Sequence, residues 1–235
     1  MYFEEAISTL EPERKRWIDQ NPLFAKIQDG SFTRWHYLAY LRETYHLVRH
    51  TPMYLKVAAA RFTDNENWLR DYYLQFADDE TGHELLCVHD IRALEAEPDQ
   101  VLSDKPLGGS WAMITQNYFL GSFGNPVSLI GDTIATEGLG SSLATDMADV
   151  LEKNYGFPHN ATTFLRVHGE ADVEHTEAAR QALESFGREQ SHYNDILHTW
   201  KMTLRYYGQL FSDVLAQGDE WANEHRSVHS VHSAH

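Results

Sequence analysis

Cysteine is almost missing from this chain. Cys87 is the single one in 235 residues, so no disulfide can form within the chain and nothing points to an oxidising compartment. Long hydrophobic runs are missing too. No apolar stretch approaches the ~18 residues that a membrane span needs. The opening, MYFEEAISTLEPERKRW, lacks a basic segment followed by an apolar one, so a cytoplasmic protein is the expectation. Positive charge is in deficit: 19 Lys and Arg stand against 35 Asp and Glu, a formal charge of −16. That balance argues against nucleic acid and against an anionic membrane surface as partners. Convincing strand alternation is absent, and so is any repeat of the solenoid kind. The seven prolines and fourteen glycines fall mostly at the ends of long periodic segments. The chain therefore reads as one helical domain, long enough for one sizeable core.

Breaks divide it into helices. Residues 2–19 form an opening helix that Asn21-Pro22 ends, and 23–27 make another turn. Thr33 caps a helix reaching about 61, interrupted near Thr51-Pro52, because proline disfavours helix just before itself. A helix over 65–94, a loop over 97–109 and an aromatic helix over 110–122 follow. Pro126 starts a helix that runs to Tyr155. The next spans 162–186 and stops at Gly187, and Ser191 caps a last one to about 215 or beyond. The helical domain is expected over residues 1–217. Residues 218–235 are polar, with His225, His229, His232 and His235, and read as a frayed tail.

The chemistry concentrates in Thr162 to Phe186. His168, Asp172 and His175 lie at i, i+4 and i+7, which stacks them on one helical face. That face also carries Ala161, Leu165, Ala179, Ala182, Leu183 and Phe186, so it points inward. Two imidazoles and a carboxylate are costly to bury unpaired, and a metal removes that cost. Helical di-iron sites combine two carboxylates with two acid-x-x-His pairs. Iron favours oxygen donors, and carboxylates can bridge two ions. Five such pairs occur: Glu43/His46, Glu80/His83, Asp172/His175, Glu189/His192 and Asp195/His198. Random placement gives about two, so surroundings must sort them. Glu80/His83 lies in a stripe of Tyr73, Phe76, Ala77 and Cys87. Glu189/His192 straddles a break, and Asp195/His198 shares its face with Ser191 and Arg205. Glu137 sits among Ile130, Ile134, Ala144 and Ala148, with Gly131, Gly138 and Gly140 nearby. Each helical glycine costs about 1 kcal/mol, which suggests close approach or local unwinding there. Glu43 lies on the stripe of Ala39, Tyr40, Leu47, Tyr54 and Val57. The expected metal set is Glu43, Glu80, His83, Glu137, Asp172 and His175, with His168 as a further donor or a partner behind the donors. For Glu43 and Glu137 the alternative is a buried acid paired with Arg42, Arg49 or a histidine.

These segments resemble the haem-oxygenase-like di-iron oxidases and oxygenases, the iron-containing redox enzymes. The likeness runs through NPLFAKIQDGSFTRWHYLAYL, YLRETYHLVRHTP, DDETGHELL, ATEGLG and HGEADVEHTE. The resemblance implies an all-α, single seven-helix haem-oxygenase-like bundle without haem. It implies two ferrous ions that activate O2, with manganese in one position left open, and no separate cofactor. It implies a small carboxylic or amino acid as substrate, undergoing oxidative C–C cleavage or N-oxygenation, and a homodimer as one open state. It also implies a mobile helix around the third glutamate. Chlamydial relatives that form p-aminobenzoate share the pattern of His168, Asp172 and His175, but they use a lysine shortly after that glutamate. No lysine lies between Gly138 and Val150 here, which argues against their self-sacrificing chemistry.

Trp111, Tyr118, Phe119 and Phe123 are candidates to line the substrate pocket, against plain core packing. Arg49 is a candidate fork for a substrate carboxylate. Three rivals remain: a thiaminase-like hydrolase using Cys87, a haem-binding oxygenase, and a non-enzymatic metal-binding interaction protein.

Overall fold

The computed structural model describes residues 1–63 and 66–232, with the side chains of 171–174 and 227–232 outside the description. Among the described residues there is no strand. The α-helices are α1 (Tyr2–Arg14), α2 (Pro22–Gln28), α3 (Arg34–Val48), α4 (Thr51–Ala59), α5 (Asn67–Asp79), α6 (Glu84–Ala93), α7 (Pro98–Val101), α8 (Gly108–Ser122), α9 (Leu129–Tyr155), α10 (Thr163–Phe186) and α11 (Gln190–His232). The expected seven helices become about ten, leaving aside the single turn of α7, because local chemistry interrupts longer rods. Asn21 accepts from the Leu23 amide and Pro22 opens α2. Pro52 sits in the first turn of α4. Lys15–Asp19 continues α1 as a π-helical turn.

The break with most consequence divides the expected 65–94 helix. α5 ends at Asp79 with Glu80 as its cap, Gly82 has φ +95° and α6 begins after His83. An L side chain rarely adopts that backbone, so glycine makes the bend possible. Other ends follow expectation: Thr33 and His36 form a capping box on α3, and Gly156 ends α9 in the left-handed conformation. Ser191 does not cap α11. The helix starts one residue earlier, and the Ser191 hydroxyl donates to Glu189.

α10 packs most extensively on α9, while α11 crosses α3, α8 and α9. A Cβ on Gly131 would come within 2.2 Å of the Ile196 carbonyl of α11. The glycine therefore permits that crossing, one of the two uses expected of this glycine group. α11 also continues past the expected break at Gly218. A Cβ there would come within 2.5 Å of the His36 ring, so this glycine serves close packing and not termination. Beyond it, Asp219 pairs with Lys26 at 2.9 Å, Trp221 lies under the Arg42 guanidinium and the His225 ring stacks on Trp35. His229, His232 and His235 lie outside the residues whose side chains are described. No described helix is long and apolar enough to cross a membrane.

Candidate metal centre

Three elements deliver the donors. The α5–α6 bend presents Glu80 and His83 from its two sides. Because of that bend, the pair does not occupy one turn of a continuous helix, as its spacing suggested. α9 presents Glu137, and α10 presents His168 and His175 seven residues apart on one face. Glu80, Glu137 and His168 are buried, and His83 and His175 are partly buried.

The donors form two overlapping groups. Ligand atoms of Glu80, His83 and His168 lie within 4.8 Å of one another, as do those of Glu80, Glu137 and His175. Glu80 belongs to both, the position a bridging carboxylate requires. His175 Nδ1 is 2.9 Å from Glu137 Oε2 and 3.9 Å from Glu80 Oε1. His83 Nδ1 is 3.3 Å from Glu80 Oε1, yet neither atom has a hydrogen-bond partner of proper geometry although both are shielded from water. The adjacent Glu80 carboxylate raises the His83 pKa above its ordinary value. Burial lowers that of His175, and Glu137, with Glu80 and Asp79, more than offsets this, for a net rise.

His168 is the most informative donor. Its Nδ1 lies 2.9 Å from the Phe164 carbonyl. A carbonyl only accepts, so Nδ1 carries the proton and Nε2 keeps its lone pair. Burial holds the ring's pKa below its usual value, in the neutral form. Nε2 is buried, without a partner, and belongs to the group with Glu80 and His83. A lone pair aimed at a carboxylate and another imidazole is unfavourable unless a cation lies between them. The residues thus fit a metal: imidazole and carboxylate are an iron-type donor set, and Glu80 Oε1, His83 Nδ1 and His168 Nε2 are buried and unsatisfied.

One expected donor stands apart. Glu43 is fully buried but away from both groups. Its Oε1 accepts from Arg42 Nε and its Oε2 from the Leu107 amide. The stripe reading placed Glu43 inward correctly, but inward there means the contact with α8 and α11; this is the alternative of a buried acid paired with Arg42. Asp172 lies outside the residues whose side chains are described.

A cavity of about 140 Å³ opens on Glu80, Glu137 and His168. Leu47, Val48, Phe76, Leu139, Met147 and Phe164 supply much of its wall, and among the described residues it has no Lys or Arg lining. Asp132 with Asn117 gives it an acidic spot away from the donors. Asp132 accepts from Asn117 at 2.7 Å, Thr203 at 2.9 Å and Tyr54 at 3.3 Å. Sequence reading missed Asp132. The available signal was an acid one turn and a half before Glu137, between Ile130 and Ile134. The expected pocket residues Trp111, Tyr118, Phe119, Phe123 and Arg49 do not line this cavity; they line a separate outer cleft. Cys87 is fully buried, outside the cavity lining, and burial pushes its thiol well up.

The sequence profile described as iron-containing redox enzyme matches residues 38–208. Among solved structures, a domain of unknown function with a haem-oxygenase-like fold from Shewanella denitrificans superposes with a TM-score of 0.86, at 20% identity over 94% of both chains. A TenA homologue from Pseudomonas syringae superposes at 0.75, with 13% identity over 92% of this chain and 93% of its own. A TenA homologue from Pyrococcus furiosus superposes at 0.72, with 10% identity over 91% and 100%. No curated protein matches. These likenesses establish the haem-oxygenase-like fold.

Proposed function

This chain belongs to the iron-containing redox enzyme family, and from that premise we propose that it is a non-haem di-iron oxidase or oxygenase dependent on O2. Glu80, His83, Glu137, His168 and His175 would hold the metal, with Glu80 shared between two positions and Asp172 as the further donor the sequence supplies. The observation that carries the reading is the His168 imidazole, fixed by Phe164 with an unpartnered Nε2 facing Glu80 and His83. Iron bound there would supply activation of O2.

The chain's own residues do the rest. Phe164 fixes the His168 tautomer, and the hydrocarbon walls exclude water from the donors. With no Lys or Arg among the described residues of the cavity wall, an anionic side chain finds no partner there away from the donor end. The wall favours a small carboxylic acid with a hydrocarbon body, its acid group directed toward the donor end. Cys87, buried away from the cavity, does not favour the hydrolase reading.

Anaerobic ferrous titration of the full chain, followed by oxygen uptake, tests this. Wild type is expected to bind two irons more than Glu80→Gln and to consume oxygen only when loaded. His168→Ala is expected to lose iron, and Glu43→Ala to keep it. Taking the difference from Glu80→Gln removes adventitious binding by C-terminal histidines. Equal iron in wild type and Glu80→Gln would overturn the proposal.

A further inference from the structure

On the other face of α3 from the metal cavity lies a second concavity of about 730 Å³, a size common for small-molecule sites. His46 and Ile114 form its buried floor, and α8 and the loop before it form its walls. Three features there point to a ligand. The first is charge. In a chain of formal charge −16, Arg49 and Lys105 stand on this rim and make no ion pair among the described residues. Arg49 lies over the Tyr45 ring instead. Asp104, the acid in the lining, lies 4.0 Å from Arg42. The second is aromatic surface left in water: Trp111 is 56% exposed, Phe119 59% and Phe123 81%. Trp111 and Phe119 share one face of α8, eight residues apart. The third is His46. It is 8% exposed, and its Nε2 is shielded from solvent without a hydrogen-bond partner, a group that a ligand would satisfy.

We propose that this cleft binds a planar aromatic anion. Its ring lies against Trp111 and Phe119, its phosphate or carboxylate meets Arg49 and Lys105, and one polar atom reaches His46 Nε2. The cleft adjoins the metal cavity through one aromatic pair. Tyr118 of the cleft bonds His50 and contacts the edge of Tyr54, ring centroids 6.3 Å apart, and Tyr54 lines the inner cavity. Such a location suits an electron-carrying ring, which makes a flavin the appropriate probe. The argument rests on the cleft's own residues and stands whether or not the iron reading does.

The test is titration of flavin mononucleotide into the full chain, followed by flavin fluorescence, with riboflavin as the counterpart lacking the phosphate. Saturable binding to one site per chain is expected. Riboflavin, Arg49→Ala and Trp111→Ala should each weaken it about tenfold, since each removes a charge-assisted or stacking contact. Arg49→Lys should restore part of the loss, and Glu80→Gln should leave binding unchanged. Absence of saturable binding at millimolar flavin would overturn the proposal, as would binding that riboflavin matches and Arg49→Ala leaves intact. Sedimentation completes the test. A dimer that Phe123→Glu dissociates, without flavin binding, would assign this face to a second copy and overturn the proposal too.

Discussion

At the scale of single residues, the chain contains two kinds of buried acid that a stripe of apolar neighbours does not separate. Glu80 and Glu137 sit among the histidines of the candidate metal centre, whereas Glu43 is satisfied by Arg42 and the Leu107 amide. Sequence periodicity gave the direction each acid points but not the element waiting there, and Leu107 is 64 residues away from Glu43. Asp132 is a third case. Burial pushes its carboxyl up to about 6, against the lowering effect of Thr203, Asn117 and Tyr54. In the unfolded chain that carboxyl ionises near 3.8. Between those values the unfolded state gives up its proton first, so this group's contribution to stability falls as pH rises. The expected loss is about 3 kcal/mol between about pH 4 and 6, at 1.36 kcal/mol per unit. Urea unfolding of wild type and Asp132→Asn across that range should show the wild type losing ground to the variant. Parallel curves would contradict it.

At the scale of elements, most helix boundaries were legible, because Asn21-Pro22, Thr33, Pro52, Gly156 and Gly187 act through local backbone chemistry. The bend at Gly82 was not, because a lone glycine in a periodic run has no local mark of its φ. The glycines of α9 show the same limit. Gly131 lies against the Ile196 carbonyl, whereas a Cβ on Gly138 would meet nothing within 4 Å. Gly138→Ala is therefore expected to stabilise the protein by about 1 kcal/mol, the helical cost of glycine. Gly131→Ala should destabilise it by several times as much, through a clash with backbone that cannot retreat. Thermal melts of the two variants check this. A destabilised Gly138→Ala would show that the α9 glycines share a role.

At the scale of the whole molecule, α11 unites the chain. It touches α3, α8 and α9, contributes none of the described donors, and closes over Arg42 with Trp221. Polarity alone made the C-terminal segment look like a tail. The contacts of Asp219, Trp221 and His225 depend on partners in the first fifth of the chain, which composition does not reveal. Ending the chain at Gln217 should uncover the buried Arg42–Glu43 pair and remove the Trp221 contact. The expected cost is about 2 kcal/mol or more, a fall in Tm of about 4–8 °C. An unchanged Tm would return the segment to the role of tail. The all-α architecture and the shared inward face of His168 and His175 on α10 were, by contrast, legible from the start, because both rest on helical periodicity.

The bend between Glu80 and His83 also bears on how this site could be inherited. Inserting one residue into a continuous helix turns everything after it by about 100°, so two donors on one helix are locked to their spacing. Donors on either side of a glycine bend are not. A lineage could lengthen or shorten the turn there and still aim both side chains at the same place. A search that insists on acid-x-x-His at this position would then pass over descendants that keep the centre intact.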